Sequence, residues 1–275
     1  MDQRTKAEVL RDLHIPGDPL LLLNAWDAAS AVVIARAGAR AVATSSAAAA
    51  NALGYADGQH LTRDQMLGAV AAIAGAVDLP VTADMEAGYG DEPDDAAATA
   101  RGVLDAGAVG LNMEDLSDGD DDLLAIERFT AKIAAVRGVG EETGTPLVLN
   151  ARTDVFLAQV GDPATRLEHA VERGRAYLAA GADCVFVPGV TEPAVITALV
   201  QCVDGPVSVL AVPGSPQLTE LKAFGVARIS TGSGPYRAAL SLARKMAAEA
   251  YGAGTLDSMI AAQVAFADAQ ALFSS

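Results

Sequence analysis

Short apolar runs recur along the chain and alternate with longer segments that have helical periodicity. There are eight such runs, rich in Val, Leu and Ile, and they are apolar throughout rather than at every second position. Continuous apolar runs are typical of parallel strands that are covered on both faces. The predicted strands are residues 20–24, 41–45, 79–84, 109–114, 146–151, 184–188, 207–212 and 227–230.

The segments between these runs predict helices that cover the sheet. Several begin with a capping residue or with a proline in the first turn, such as Thr62 and the pair Thr191 and Pro193. The predicted helices are residues 27–37, 62–76, 93–106, 122–140, 162–180, 191–202 and 216–223, followed by a long apolar tail from about 235 to 271.

A repeated junction connects helices to strands. At four places a glycine and a small residue lead from a helical segment into the next apolar run, and glycine there takes the left-handed conformation at low cost. Eight such units, with no linker rich in Pro, Gly or Ser, predict a (β/α)8 TIM-type barrel. We expect residues 1–275 to form one domain, with about 235–271 as a C-terminal helical extension. The junction glycines are Gly38, Gly107, Gly181 and Gly225.

A doubly wound open sheet is the alternative fold. Its usual signature is a GxGxxG segment after the first strand, and this chain has NAWDAAS at residues 24–30 instead. The barrel is therefore preferred.

Charge and composition restrict the partners. The chain has 19 Lys and Arg against 35 Asp and Glu, a net charge of −16, which repels nucleic acid and anionic membranes. The longest uncharged stretch, 41–56, is shorter than the roughly 20 apolar residues of a membrane span. The charged N-terminus lacks the apolar core of a secretory signal, so we expect a cytoplasmic protein. Cys184 and Cys202 lie in apolar patterns, which predicts buried thiols rather than a nucleophile or a zinc site.

Acidic residues cluster where the predicted strands end, at the rim that holds the active site of such barrels. Asp84 and Glu86 follow the third strand and Glu114 the fourth, while Arg152 follows the fifth. Three carboxylates close together raise each other's pKa unless a cation neutralises them, and oxygen ligands select Mg²⁺ or Mn²⁺. The alternative is that Asp84 or Glu86 caps a helix or forms a buried salt bridge with Arg152, but one arginine cannot satisfy three acids.

The segment TSSAAAA places hydroxyls and successive backbone N–H groups at the end of the second strand. Ser45 and Ser46 could hold a small carboxylate there, or could form a plain turn. With Arg152 opposite, we expect a site for a 2-oxo or 2-hydroxy acid that chelates the metal.

These segments resemble the isocitrate lyase and phosphoenolpyruvate mutase superfamily. They occur in the order of the family and, together with AGADCVFVPG, cover most of residues 20–232. The matching segments are NAWDAASA (24–31), ATSSAAAANALGYADG (43–58), PVTADMEAGYG (80–90), GLNMEDL (110–116) and LNARTD (149–154).

The resemblance implies a Mg²⁺-dependent barrel that acts on 2-oxo or 2-hydroxy carboxylates through an enolate. It implies that Asp84 binds the metal directly and that Glu86 and Glu114 bind it through water. It also implies tetramers that exchange the last barrel helix. The implied substrate site consists of Trp26 as an aromatic wall, Ser45, Ser46 and Ala47 as a carboxylate pocket, Asp57 as an acid near the reacting centre and Arg152 as a clamp.

The chain also departs from its family. Isocitrate and methylisocitrate lyases have a Lys-Lys-Cys-Gly-His loop after strand 4, where this chain has the acidic LSDGDDDLLAIERF (116–129). Those two activities are therefore not expected, and the acids would repel a phosphonate. The glutamate that carbon–carbon lyases often have on strand 6 is replaced by Val187 and Pro188.

The sequence thus predicts a lyase that cleaves a carbon–carbon bond in a small oxo or hydroxy dicarboxylate, by decarboxylation or retro-aldol cleavage. One alternative is carbon–phosphorus chemistry, of the phosphoenolpyruvate mutase or phosphonopyruvate hydrolase type. The other is a 2-oxo acid binding protein without catalytic activity. We expect a homo-oligomer in each case.

Overall fold

The strands of the computed structural model, which describes residues 1–116 and 122–273, are all parallel and form one sheet. Their order is β1-β9-β8-β7-β6-β5-β4-β3-β2. β1 and β2 are successive parts of one run interrupted at Leu23, so pairing of β1 with β9 and of β2 with β3 closes the barrel. The predicted (β/α)8 barrel is confirmed. The strands are β1 Leu20–Leu22, β2 Asn24–Ala25, β3 Val42–Thr44, β4 Val81–Asp84, β5 Gly110–Glu114, β6 Val148–Arg152, β7 Cys184–Phe186, β8 Val207–Leu210 and β9 Arg228–Ser230.

The helices follow the predicted positions, with two additions. The N-terminal helix α1 and the short α3 were not predicted, because α1 is largely polar and α3 is an alanine run that reads as a turn. A π-helical segment, Glu249–Ala253, follows α10. The helices are α1 Gln3–Asp12, α2 Ala28–Arg36, α3 Ser46–Ala52, α4 Arg63–Gly75, α5 Pro93–Asp105, α6 Ile126–Thr143, α7 Arg166–Ala179, α8 Pro193–Cys202, α9 Leu218–Ala223, α10 Gly234–Ala248, α11 Asp257–Ala262 and α12 Phe266–Ala271.

Local signals in the sequence determine several of these boundaries. Thr62 caps α4 through a reciprocal hydrogen-bonded box with Gln65, and Pro193 opens α8. The four junction glycines all have positive φ, for example 109° at Gly181, so each ends its helix in the predicted left-handed conformation. None of the helices in the described residues combines the length and hydrophobicity needed to cross a bilayer.

The barrel interior changes from apolar to polar along its axis. α1 closes the bottom, where Leu10 packs with Leu20 and Leu22. Above this layer Arg228 on β9 donates to the Asn112 side chain on β5. β5 and β9 are not neighbours in the sheet, so this contact crosses the interior.

Within residues 1–116 and 122–273, no helix of the same chain covers the outer face of the first strand. α10 follows β9, which pairs with β1, so it is the helix expected to cover this face of the barrel. None of the residues of α10 is buried, however. Leu21 and Leu23 remain 39% and 43% exposed beside an apolar groove of about 290 Å³.

A buried carboxylate ties the end of β5 to its neighbours. Asp115 is fully buried, and its Oδ1 accepts the backbone N–H of Asp154 at 2.9 Å. Its Oδ2 accepts from the Tyr177 hydroxyl at 2.5 Å and from Arg173 Nη1 at 3.0 Å. The rims of β5 and β6 are therefore held together from the side of α7.

Tyr177→Phe is expected to lower the free energy of unfolding by about 1–3 kcal/mol, since it removes a donor from a buried carboxylate. Urea denaturation would measure this. Tyr55→Phe is the matched control, because Tyr55 is 42% exposed and its hydroxyl accepts only a long 3.5 Å hydrogen bond from the exposed Gln65, so the same change should stay within about 0.5 kcal/mol. Equal effects of the two substitutions would contradict the role of this hydrogen bond.

Candidate active site

A cavity of about 220 Å³ lies at the carboxyl ends of the strands. It is smaller than the roughly 300–1,000 Å³ of pockets for drug-sized molecules, which suits a small ligand. Its lining residues are Asn24, Ser45, Ser46, Ala47, Asp57, Asp84, Asn112, Arg152, Leu157, Phe186, Pro188, Leu210, Ser230, Gly232 and Ser233. The structure thus brings together six residues predicted from the sequence, namely Ser45, Ser46, Ala47, Asp57, Asp84 and Arg152.

Asp84 ends β4 and is held by the start of α3. Its Oδ2 accepts from the backbone N–H of Ser46 at 3.0 Å and from the Ser46 hydroxyl at 2.9 Å. Ser45 caps α3, its hydroxyl oxygen accepting the Ala48 N–H. The donors of Ser46, which the sequence assigned to a substrate carboxylate, are thus engaged by Asp84 in this structure. The carboxylate pocket of Ser45, Ser46 and Ala47 stays a prediction.

Glu86 lies in a turn with unusual backbone geometry. It has a φ of 51° and is buried, and its carboxylate accepts from the backbone N–H of Gln59 and from the Tyr89 hydroxyl. The buried Lys132 holds this turn by donating to the carbonyls of Ala87 and Gly90 at 2.6 and 2.7 Å. Burial, and then the charge of Asp84, raise the pKa of Glu86 to about 7.

Arg152 is shared by two carboxylates. Its Nη1 lies 2.6 Å from Glu114 Oε2, and its Nε and Nη2 form a forked pair with Asp154 at 2.7 and 2.9 Å. The salt bridge with Arg152 is thus made by Glu114, and among the described residues neither Asp84 nor Glu86 forms one with it. These contacts occupy three of the five N–H groups of the guanidinium and leave two for a ligand. Burial raises the pKa of Glu114, and Asp154 and other acids add to this, while Arg152 opposes it.

Asp57 reaches the cavity from the exposed loop between α3 and α4. Loss of water around the carboxyl group and the charge of Asp84 raise its pKa, against the backbone N–H of Gly58, which lowers it. This acid therefore holds a proton at higher pH than a free aspartate does.

The carboxylates around the cavity fit a hydrated hard cation. Asp57, Asp84 and Arg152 line the cavity, whereas Glu86 and Glu114 are not among its lining residues. Repulsion from Asp84 raises the pKa of Asp57, Glu86 and Glu114 beyond the effect of burial. Across residues 1–116 and 122–273, no three His, Cys, Asp or Glu side chains lie close enough to bind one ion directly. Mg²⁺ commonly keeps several waters and binds one or two carboxylates, so this donor set suits it better than a closed cage.

Some predicted residues lie elsewhere. Trp26 packs edge-on against Tyr236 with 5.5 Å between ring centroids, and it lines a neighbouring cavity with Tyr55 rather than the central one. Its role as a wall of the substrate site stays a prediction. In the acidic loop, Asp118, Asp120 and Asp121 lie outside the described residues, while Asp122 is exposed.

Several residues that line the cavity were given no role from the sequence alone. Asn112 precedes Glu114 by two positions, and strand alternation could have placed both inside the barrel. Phe186 lies two positions after Cys184 on β7, and Arg152 lies over its ring at 5.9 Å. The proline that ends the predicted strand, Pro188, lines the cavity as well.

Comparison with known proteins identifies the relatives of this chain. A sequence model of the phosphoenolpyruvate phosphomutase family matches residues 10–251. An uncharacterized protein of Mycobacterium tuberculosis is 37% identical over 230 residues, which cover 83% of each protein. A candidate phosphonomutase structure from Burkholderia cenocepacia J2315 is 41% identical with a TM-score of 0.86, covering 90% of this chain and 99% of that one.

One related structure has ligands. A phosphonopyruvate hydrolase in complex with oxalate and Mg²⁺ is 27% identical with a TM-score of 0.85, covering 97% of this chain and 94% of that one. Relatives of the chain as a group include lyases, mutases and hydrolases that act on small carboxylates.

Added Mg²⁺ is expected to raise the unfolding temperature more at about pH 8 than at about pH 5. The pKa of Glu86 is about 7 in the folded protein against 4.5 in a free side chain, so the folded state binds more protons between these values. This group therefore destabilises the metal-free protein as the pH rises through that window, and a cation relieves the repulsion. Calorimetry with Mg²⁺ and with EDTA at both pH values measures this. Glu86→Gln should bring the Mg²⁺-induced shifts in unfolding temperature at the two pH values closer together. Equal shifts in the wild-type protein at both pH values would refute the prediction.

Proposed function

Since the chain belongs to the phosphoenolpyruvate phosphomutase family of the isocitrate lyase and phosphoenolpyruvate mutase superfamily, we propose that it is a Mg²⁺-dependent lyase. Its substrate is a small 2-oxo or 2-hydroxy dicarboxylate, in which it cleaves a carbon–carbon bond. The observation that supports this most is the small cavity at the strand ends, which Asp84 and Arg152 both line among surplus carboxylates, with two N–H groups of Arg152 not engaged by the described residues.

The side chains around the cavity have distinct proposed roles. Asp84 binds Mg²⁺ directly, with Glu86 and Glu114 behind water, and the ion supplies a Lewis acid for negative charge that develops on the substrate oxygen. Arg152 binds and orients the substrate carboxylate through its two remaining N–H groups, while Asp154 keeps its guanidinium in place.

Asp57 is the proposed proton donor. Cleavage leaves a carbanion equivalent that must be protonated, and a carboxyl group with a raised pKa is suited to hold and deliver that proton. Its position on an exposed loop gives it contact with both the cavity and solvent.

Carbon–phosphorus cleavage is the second candidate function, favoured by the likeness to phosphonopyruvate hydrolase. A phosphonate dianion brings more negative charge than a carboxylate, and Arg152 is the one cationic side chain lining the cavity in the described part of the chain. The acidic surroundings therefore support the carbon–carbon reaction over the carbon–phosphorus one.

A substrate panel followed by NMR tests this function. The wild-type protein with Mg²⁺ should convert oxaloacetate or a substituted malate and leave phosphonopyruvate unchanged. Asp84→Ala should lower kcat/KM by on the order of 100-fold or more, because it removes the metal ligand. Asp94→Ala on α5 is the control, since Asp94 is exposed and should leave the rate unchanged. Turnover of phosphonopyruvate alone would favour the second candidate, and ligand binding without turnover would indicate a binding protein.

We propose in addition that α10 to α12 of one subunit cover the first strand of another in a homo-oligomer. The C-terminal helices expose apolar side chains such as Leu240 and Phe266, at 47% and 81%. The described part of the chain leaves the groove beside Leu21 and Leu23 uncovered. Burying these two apolar surfaces against each other would stabilise the assembly.

Light scattering coupled to size exclusion should show a mass that is a multiple of 27.9 kDa. Leu23→Asp in the groove and Leu240→Asp on α10 should each shift the protein toward smaller species, since each places a charge in the proposed interface. Leu218→Asp on α9 changes a leucine of the same 47% exposure as Leu240 and should leave the mass unchanged. A monomeric wild-type protein would contradict the proposed assembly.

A further inference from the structure

The interior of the barrel contains a buried arginine directly below the cavity floor. Arg228 is 1% exposed, and its Nη2 donates to Asn112 Oδ1 at 3.0 Å while its Nη1 lies 3.4 Å from His14 Nε2. Within residues 1–116 and 122–273 no carboxylate forms a salt bridge with Arg228, and its Nε has no hydrogen-bond partner. A buried cation without a paired anion is costly, so its presence requires a reason.

The neighbours of Arg228 do not neutralise its charge. Burial lowers the pKa of Arg228 to about 10, so the guanidinium stays charged at neutral pH. Burial raises the pKa of Cys184 to about 12, and burial together with Arg228 lowers that of His14 to about 4, so both are neutral there. A net positive charge therefore lies beneath an otherwise acidic site.

Arg228 determines which way the Asn112 amide faces. A guanidinium has only N–H donors, so the Asn112 side chain must turn its oxygen toward it. Asn150 Nδ2 donates to the same oxygen at 2.8 Å. Asn112 lines the cavity, and within the described residues its Nδ2 makes no hydrogen bond. The group that Asn112 can offer to a molecule in the cavity is thus a pair of N–H donors.

We propose that Asn112 donates from Nδ2 to an anionic oxygen of the substrate and that Arg228 is its positioning residue. Arg228 also supplies positive charge below the cavity, so the site favours small dianions over monoanions. The inference rests on the proposed function and adds a contact and a charge preference to it. Without Arg228, Asn112 could turn its oxygen to the cavity and repel a carboxylate.

Stability measurements test the pairing independently of any ligand. Asn112→Asp is nearly isosteric and places a carboxylate against Arg228, so it should raise the unfolding temperature. In an Arg228→Met background the same change buries an unpaired acid and should lower that temperature. Asn51→Asp is the control for the asparagine change, since Asn51 is exposed on α3. An effect of Asn112→Asp that is the same in both backgrounds would overturn the positioning role of Arg228.

Ligand binding, measured by calorimetric titration in the presence of Mg²⁺, tests the substrate contact. Oxalate serves as the dianion and pyruvate as the monoanion. Arg228→Met should weaken the binding of oxalate about 10-fold or more and the binding of pyruvate less. A general loosening of the fold would weaken the binding of both ligands equally. Asn112→Asp should abolish oxalate binding. Arg36→Met on the exposed end of α2 is the control and should change neither affinity.

The outcomes separate this inference from the proposed function. If the protein binds oxalate but converts no oxo acid, the proposed function is contradicted, while the proposed contact of Asn112 and role of Arg228 are not. Unchanged oxalate affinity in Asn112→Asp and Arg228→Met overturns the inference and leaves the proposed function standing. Failure of the wild-type protein to bind oxalate overturns both.

Discussion

Repulsion among carboxylates at one rim of a closed barrel is the constraint on which the rest of this structure depends. Parallel strands end at the same edge, and the register places Asp84 beside Asn112 and Glu114 beside Arg152 on three neighbouring strands of one rim. Burial raises the pKa of both Glu86 and Glu114, and the charge of Asp84 raises each further. A protein that tolerates this concentration of like charge at its rim is suited to hold a cation there.

Much of the surrounding structure serves to hold these acids in place. Ser46 donates twice to Asp84, and Gln59 donates to Glu86 from a loop that also brings Asp57 to the cavity. Lys132 satisfies backbone carbonyls in the turn after Glu86. The contacts from Ser46 and Gln59 orient Asp84 and Glu86 without cancelling their charge, because hydroxyl and amide donors are neutral.

Positive charge is distributed in two places with different roles. Arg152 lies at the rim, paired with Glu114 and Asp154, with donors left for a ligand. Arg228 lies below, without an acidic partner in the described residues, and bonds to the oxygen of Asn112. A rim cation can contact a substrate directly, whereas a buried cation acts through the group that it orients and through its field.

The chain by itself determined the barrel, the position of most strands and the set of acids at the rim, because these follow from hydrophobic periodicity and from the ends of apolar runs. Thr62 and Gly181 show that local signals also placed helix ends correctly. Only the tertiary structure decided which groups meet across the interior. Ser46 donates a hydrogen bond to Asp84, and Arg228 donates one to Asn112, because strands distant in sequence converge. Trp26 lines a neighbouring cavity rather than the central one. Such contacts depend on three-dimensional register and side-chain packing, which spacing along the chain does not encode.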